Sequence, residues 1–183
     1  MMGALLSQDV LDERGAVRTL GGMLVGAIDT TASSVAKIVS VIARDRKLLR
    51  QVEADADQPE RMRGWCWEAL RRWPHNPVVL REALCTTKFG GLTVNKGNQL
   101  WLWTQAAMQD ASVFPDPERL RPDRDAANYL HFGGALHVCA GRSINAFQIP
   151  MLVTALVRRG IASTGKVAWA GPFPDRLVVR FES

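Results

Sequence analysis

Cys139 stands in the run His131-Phe132-Gly133-Gly134-Ala135-Leu136-His137-Val138-Cys139-Ala140-Gly141-Arg142, which reads as a glycine-rich loop opening into a helix. Glycines ahead of a cysteine let the backbone fold tightly, and N–H groups at a new helix N-terminus stabilise negative charge on sulfur. The run therefore suits the presentation of one thiolate. A free cysteine is as often a small buried hydrophobe, so the reading needs support elsewhere, and three further segments carry chemistry of their own. Asp29-Thr30 sets an acid beside a hydroxyl on a long apolar stretch, a pair able to pass protons. Glu68 and Arg71, three residues apart, share one helix face. Arg81 offers a guanidinium fork that suits a carboxylate.

These segments occur in one order, and together they resemble the cytochrome P-450 family. Its proximal heme-ligand loop reads Phe, then Gly at the third position after it, Arg or His at the fifth, Cys at the seventh and Gly at the ninth. Phe132, His137, Cys139 and Gly141 match, and Ala135 stands where the family has Gly. The resemblance implies heme b as cofactor, Cys139 as the axial ligand of its iron, Phe132 and Gly141 shaping the loop, and Arg81 and His137 as donors to the heme propionates. Gly26-Ala27-Ile28-Asp29-Thr30-Thr31 resembles the oxygen-activation segment, with Ala27 replacing the usual glycine. It implies Asp29 and Thr30 as the proton-delivering pair, acting where the helix opens locally to admit water. The bland alternative is a threonine bonded back to its own helix. Glu68, Arg71 and, from Pro117-Glu118-Arg119, Arg119 match the family's structural triad, although Leu120 replaces the usual phenylalanine.

The implied fold is mainly α with a small antiparallel β-sheet, the C-terminal core of the cytochrome P-450 fold, over residues 17–183 behind an N-terminal segment 1–16. The implied activity is heme-thiolate monooxygenation of a small, apolar substrate, with electrons from a separate donor protein or with peroxide in their place. Phe173 is a candidate substrate contact. Arg142 to Pro150 resembles a bacterial branch related to the heme domains fused to fatty-acid dioxygenases, so a hydroperoxide isomerase or peroxygenase on the same heme is the first rival. The Asp29-Thr30 pair tips the choice toward oxygen activation. The second rival is a non-catalytic heme-binding or interaction module. Family members are roughly twice this length, and the half ahead of the long helix has no counterpart here. That implies a fragment, a split subunit or a minimal relative, with self-association or a complementary chain covering the long helix.

Bulk properties narrow the field. A chain of 183 residues with 47% apolar composition supports one domain with a core. Three cysteines make an odd number and suggest no disulfide framework. Met1 to Asp12 lack the basic start and apolar core of a signal peptide, so a cytoplasmic location is expected. The net charge is +5, but its basic residues are scattered, which argues against nucleic-acid binding while leaving a surface for an acidic electron-transfer protein. Leu20 to Ala43 is long and apolar, yet Asp29 and Lys37 near its middle argue against a membrane span. No zinc spacing and no glycine-rich dinucleotide fingerprint is present, so no flavin or nicotinamide site is expected. His75 and His131 have no role assigned by these patterns.

The elements that must position these residues follow from periodicity. Val17 to Arg44 reads as one long, buried helix, with Leu20, Leu24, Ile28, Thr31, Val35, Ile38 and Ile42 at three- and four-residue steps. Gly21, Gly22 and Gly26 within it call for close packing or a ligand. Charged and mixed helices follow over Arg46 to Ala56 and Glu60 to Trp73. Val78 to Leu84, Gly91 to Val94 and Asn98 to Trp103 read as strands of one sheet, separated by Phe89-Gly90-Gly91 and Asn95-Lys96-Gly97. Phe114 to Arg124 reads as ordered coil, Gly141 to Arg159 as a helix kinked at Pro150, and Leu177 to Phe181 as a closing strand.

Overall fold

The computed structural model describes residues 12–171 and 173–182. Helix α1, Glu13–Ile42, starts four residues ahead of its expected origin, because the Asp12 side chain caps it by accepting from the Gly15 N–H at 2.7 Å. Helices α2, Arg46–Ala54, and α3, Pro59–Arg72, follow, with Pro59 filling the first helical position where no N–H is needed. Strands β1, Val79–Glu82, β2, Thr87–Phe89, β3, Leu92–Val94, and β4, Gln99–Leu102, lead to a short helix α4, Thr104–Ala107. After a long coil come helix α5, Arg142–Arg158, and strands β5, Ile161–Thr164, β6, Ala168–Ala170, β7, Phe173–Arg176, and β8, Val179–Phe181. Mainly α with small antiparallel β is therefore the architecture.

The sheet is not one but several. β1 pairs with β4 in antiparallel register, Arg81 opposite Leu100, while β2 and β3 form their own hairpin, Thr87 opposite Val94. The hairpin turns at Gly90 and Gly91, whose φ values of 56° and 80° a side chain would disfavour. The C-terminal strands add two further ladders, β5 with β8 and β6 with β7. β5, β6 and β7 were not expected; they are short, and Pro172 and Pro174 break the alternation that marks a strand.

The core lies where α1, α3 and α5 meet. Ile38, Val39 and Ile42 of α1 pack with Trp65, Cys66, Ala69 and Leu70 of α3 and with Ile149, Val153 and Val157 of α5, and Leu49 and Val52 of α2 close one end. Only the second half of α1 is buried in this way. Leu24, Val25 and Ile28 are 62%, 67% and 64% exposed, so the helix is not buried along its whole length, although Ala16 near its start is fully buried and β7 lies against it. Nor do Gly21, Gly22 and Gly26 mark close packing, since a Cβ on any of them would meet nothing within 4 Å. By length and composition α1 could cross a membrane, but 44% of its most apolar window is buried inside the protein. α5 runs unbroken through Pro150.

The coil before the Cys139 loop is pinned to α3. A Cβ on Gly64 would lie 2.0 Å from the Pro122 carbonyl oxygen, so only glycine lets the coil approach this closely. The charges beneath it are the most buried among the described residues. Glu68 and Arg71 are both 0% exposed, and Arg71 Nε donates to Glu68 Oε1 at 2.7 Å. The third arginine of this network is Arg124, whose Nε donates to Glu68 Oε2 at 3.1 Å. That corrects the assignment of Arg119, which is exposed and offers only its backbone carbonyl, to Arg71 at 3.4 Å and to Arg124 at 3.2 Å. Tyr129 OH and the Arg121 N–H complete the shell of Glu68 at 2.9 and 3.0 Å. Burial, and then the neighbouring Glu68, push the Tyr129 phenol above its ordinary pKa.

Candidate functional site

The loop that carries Cys139 is shaped by its backbone. The Cys139 N–H donates to the Phe132 carbonyl at 2.8 Å, closing the turn, and the Arg142 N–H accepts its place at the head of α5 by donating to the Cys139 carbonyl at 3.1 Å. Gly133 takes a φ of 72°, and a Cβ there would press within 3.1 Å of the His137 carbonyl oxygen. Ala135 takes a φ of 51°, the left-handed region that costs an L-residue roughly 1–2 kcal/mol. The glycine usual at that position would be free of this cost. Phe132 is held by an edge-on contact with Trp67 of α3, ring centroids 5.2 Å apart.

Cys139 is exposed, as is Cys85, whereas Cys66 is sealed in the core and burial pushes its thiol far up. Cys139 faces a cavity of about 270 Å³ between the loop and α1. Arg81 from β1, His137 from the loop, Thr30 from α1 and Phe132 line the same cavity. Arg81 is exposed and its Nη1 donates to the neighbouring Leu80 carbonyl at 2.8 Å, its other N–H groups having no hydrogen-bond partner among the described residues. Gly141 lies beside the sulfur: a Cβ there would stand 3.6 Å from Cys139 Sγ and 3.3 Å from Asn145 Nδ2. One thiol, one guanidinium and one imidazole converging on one cavity, with space kept beside the sulfur, fit a heme held by thiolate and propionate contacts. Among the described residues no cluster of three or more His, Cys, Asp or Glu side chains competes as a metal site.

Asp29 and Thr30 separate. Thr30 lines this cavity and a second one of about 650 Å³, while Asp29 lines the second alone. The Thr30 hydroxyl donates to the Gly26 carbonyl within its own helix, and α1 is continuous across this segment, with no local opening. Phe173 begins β7, but its side chain lies outside the described set.

Three further residues at the site had no individual role read from the sequence, Thr31 standing there only within the Gly26-to-Thr31 segment and the apolar stripe. Thr31 donates to Asn145 Oδ1, joining α1 to α5. His75, on the turn after α3, lines both cavities; burial and then the charge of Lys37 lower its pKa, with Asp29 opposing. His131 is wedged among Trp67, Tyr129 and Phe132, ring centroids 4.7–5.4 Å away, and neither of its ring nitrogens has a hydrogen-bond partner. Burial, and then Arg142, push its pKa down to about 3, so it serves as a neutral aromatic filler behind the loop.

Known proteins share both sequence and shape with this chain. Biflaviolin synthase of Streptomyces coelicolor is 28% identical over 87% of the chain, and luvungin A synthase of Citrus sinensis 27% identical over 86%. These matches span 39% and 37% of the relatives, so the chain covers well under half of their length. Mycobacterium smegmatis CYP164A2 with econazole bound superposes with a TM-score of 0.76 at 26% identity, over 85% of this chain and 38% of that one. The Acinetobacter radioresistens CYP116B5 heme domain superposes with a TM-score of 0.82 over 97% of this chain and 44% of that one, and at 22% identity it shows the fold alone. The sequence profile of the Cytochrome P450 family matches residues 4–159, and on that match, with the Cys139 loop and the fold behind it, the chain belongs to the cytochrome P450 family.

Proposed function

We propose that this chain supplies the heme-bearing half of a monooxygenase that hydroxylates a small molecule. The observation that carries the reading is the convergence of Cys139 and His137 from the loop, Arg81 from β1 and Thr30 from α1 on one cavity. When bound, a thiolate-ligated heme b supplies the activation of oxygen, because the sulfur donates electron density that favours O–O cleavage. The chain's own residues do the rest. Cys139 Sγ binds the iron, and Phe132 and Gly141 keep the loop shaped around it. Arg81 and His137 orient the group by binding its carboxylates. Thr30, at the boundary of the two cavities, and Asp29, in the larger one, hold and move protons toward the smaller one, which requires the Thr30 hydroxyl to leave the Gly26 carbonyl. Glu68, Arg71 and Arg124 fix the coil behind the loop. Electrons come from a separate donor protein or are replaced by peroxide.

The test is the absorption spectrum of the purified chain, reconstituted with heme, reduced and exposed to carbon monoxide. The strongly red-shifted Soret band of a thiolate-ligated heme is expected, lost in Cys139→Ala and kept in Cys66→Ala and Cys85→Ala. A band that survives Cys139→Ala overturns the ligand. The commitment of the Thr30 hydroxyl to Gly26 favours the second reading, rearrangement of a hydroperoxide, which needs no external proton delivery. Turnover of a lipid hydroperoxide without reductant would decide for it.

Two apolar faces support an assembly. On α1, Leu24, Val25 and Ile28 are exposed, and on α5, Ile144, Phe147 and Met151 at helical spacing are 66%, 74% and 66% exposed. Leaving such side chains in water forfeits roughly 1.5–3 kcal/mol each. The reading is that a second copy or a complementary polypeptide covers them. Light scattering behind size exclusion over a dilution series tests it, and a heme-loaded monomer at high dilution refutes it.

A further inference from the structure

The buried face of α5 is an apolar stripe with one exception. Ile149, Val153 and Val157 recur at four-residue steps and fill the core, and Asn145, one step earlier, sits at the end of the stripe that meets the Cys139 loop. It is 9% exposed. Burying an amide costs free energy unless its polar atoms are paired, and a leucine would continue the stripe without that cost. Only half of this amide is paired. Its Oδ1 accepts from the Thr31 hydroxyl, while its Nδ2 has no hydrogen-bond partner among the described residues. Lys37, the buried charge of α1, shows the contrast, since its Nζ donates to the Pro74 carbonyl oxygen at 2.9 Å. Nor does Thr31 require the amide: a threonine hydroxyl within a helix can bond back to its own backbone, as that of Thr30 does to Gly26.

The free end of the amide lies near the sulfur. A Cβ on Gly141 would stand 3.3 Å from Asn145 Nδ2 and 3.6 Å from Cys139 Sγ, so the two atoms border one small space. Gly141 has φ −80° and ψ 0°, a right-handed conformation open to any residue, so glycine is needed there for room and not for its backbone angles. The Asn145 N–H donates to the Gly141 carbonyl at 2.8 Å, which fixes the residue in the first turn of α5. Asn145, Thr31 and Cys139 line the same cavity. Thr31 decides which end of the amide is free: a hydroxyl that donates holds Oδ1 on the α1 side and leaves Nδ2 to the other. A thiolate attracts an N–H and repels a carbonyl oxygen, so this is the orientation that suits it.

We propose that Asn145 tunes the thiolate: its amide N–H, oriented by Thr31, donates to Cys139 Sγ when the sulfur binds heme iron, and thereby raises the reduction potential of the heme. The inference rests on the reading of Cys139 as the iron ligand. Ferrous heme carries one more negative charge than ferric, and a donor to the ligating sulfur favours the more negative state. A hydrogen bond to a charged sulfur is stronger than a neutral one, which sets the expected effect at about tenfold in the ferric to ferrous equilibrium. Thr31 acts only through Asn145, as a positioning residue.

The test compares Asn145→Leu, Thr31→Val and the double variant in the full chain. In heme-loaded protein, Asn145→Leu is expected to shift the equilibrium about tenfold toward ferric iron, roughly 59 mV for one electron, with the thiolate Soret band of the carbon monoxide complex kept. Thr31→Val, which keeps the donor but frees its orientation, should show part of that shift. The double variant is expected to recover thermal stability and not the potential, which separates tuning of the sulfur from support of the fold. It also carries the test should Asn145→Leu alone fail to fold. A potential unchanged in Asn145→Leu, or in the double variant, overturns the proposal. One readout needs no heme. In a chain with isotope-labelled asparagine, the side-chain amide resonances of Asn145, identified by their loss in Asn145→Leu, are expected to move in Cys139→Ala and to stay in Cys85→Ala. Resonances unmoved in Cys139→Ala overturn the proposal equally. A wild-type chain without the thiolate Soret band defeats the reading of Cys139 as the iron ligand, while the amide resonances still decide whether Asn145 addresses the sulfur.

Discussion

The Thr31 hydroxyl donates to the Asn145 side-chain oxygen at 3.2 Å across 114 positions of sequence, a polar link between α1 and α5 beside the cavity that Cys139 faces. Both residues are buried. Asn145→Ala strands the hydroxyl, and is expected to cost about 1–2 kcal/mol and to lower Tm by roughly 2–4 °C per kcal/mol. Thr31→Val with Asn145→Leu should recover part of this, because removing both partners leaves nothing unpaired. A double-mutant cycle by thermal melting reads the coupling, and additive losses would show that the bond contributes nothing.

Arg124 and Arg119 separate cleanly. Arg124→Ala leaves one lone pair of the fully buried Glu68 unmet and is expected to destabilise by roughly 3–5 kcal/mol. Arg119→Ala removes an exposed side chain and should stay within about 0.5 kcal/mol of wild type. Urea denaturation of both variants checks the order; a larger loss in Arg119→Ala would restore it to the network.

Ala135 sits at positive φ in the loop before Cys139. Ala135→Gly should relieve about 1 kcal/mol of backbone strain, less what glycine adds to the freedom of the unfolded chain. The expected result is a small gain in stability with the Soret band unmoved. A loss of stability would show that the loop tolerates alanine without strain.

Asp55 gives the acid limb. Its carboxylate accepts from Arg61 at 2.8 Å and from Trp65 Nε1 at 2.8 Å, and the Arg61 hydrogen bond leads the causes that hold its pKa below the usual carboxylate value. A folded-state pKa lower than the unfolded one means stabilisation that is present in full above the unfolded value of about 3.9 and lost as pH falls through the folded one. Asp55→Asn should therefore be less stable than wild type at pH 7, the gap closing below about pH 4. Equal stability at pH 7 would remove Asp55 from the account.

Proton delivery is tested at Thr30. Thr30→Ala should keep heme and ligand binding but release reducing equivalents as hydrogen peroxide, and Asp29→Asn should slow turnover. Peroxide yield per electron, unchanged in both variants, would count against the pair.

The path of the Cys139 loop and the helices were legible because each carries a local signal: glycines at set distances from Cys139, a proline at the head of α3, apolar steps along α1. The partner of Glu68 was not. Arg119 and Arg124 both lie in coil, where no periodicity says which way a side chain turns, and only the path of the chain over Gly64 brings Arg124 inward. Lys37 was invisible for a related reason. Within an apolar helix a lysine reads as a mark against a membrane, and the Pro74 carbonyl that receives it is 37 residues away in sequence. Periodicity along α1 reports which face is apolar and not where cover ends, so the exposure of Leu24, Val25 and Ile28 in particular needed the structure.

The coil that presses on Gly64 is the same stretch of chain that delivers Arg124 to Glu68 and then runs on into the thiolate loop. A methyl group at Gly64, close to no reacting atom, would have to lift the Pro122 carbonyl away before anything else could happen. In a screen that scores colony colour, such a change would be counted among ligand knockouts, although the cysteine is intact. The bare face of α3 thus behaves as a seam: sequence variation is tolerated on either side of it, and the pigment is forfeited when it is filled.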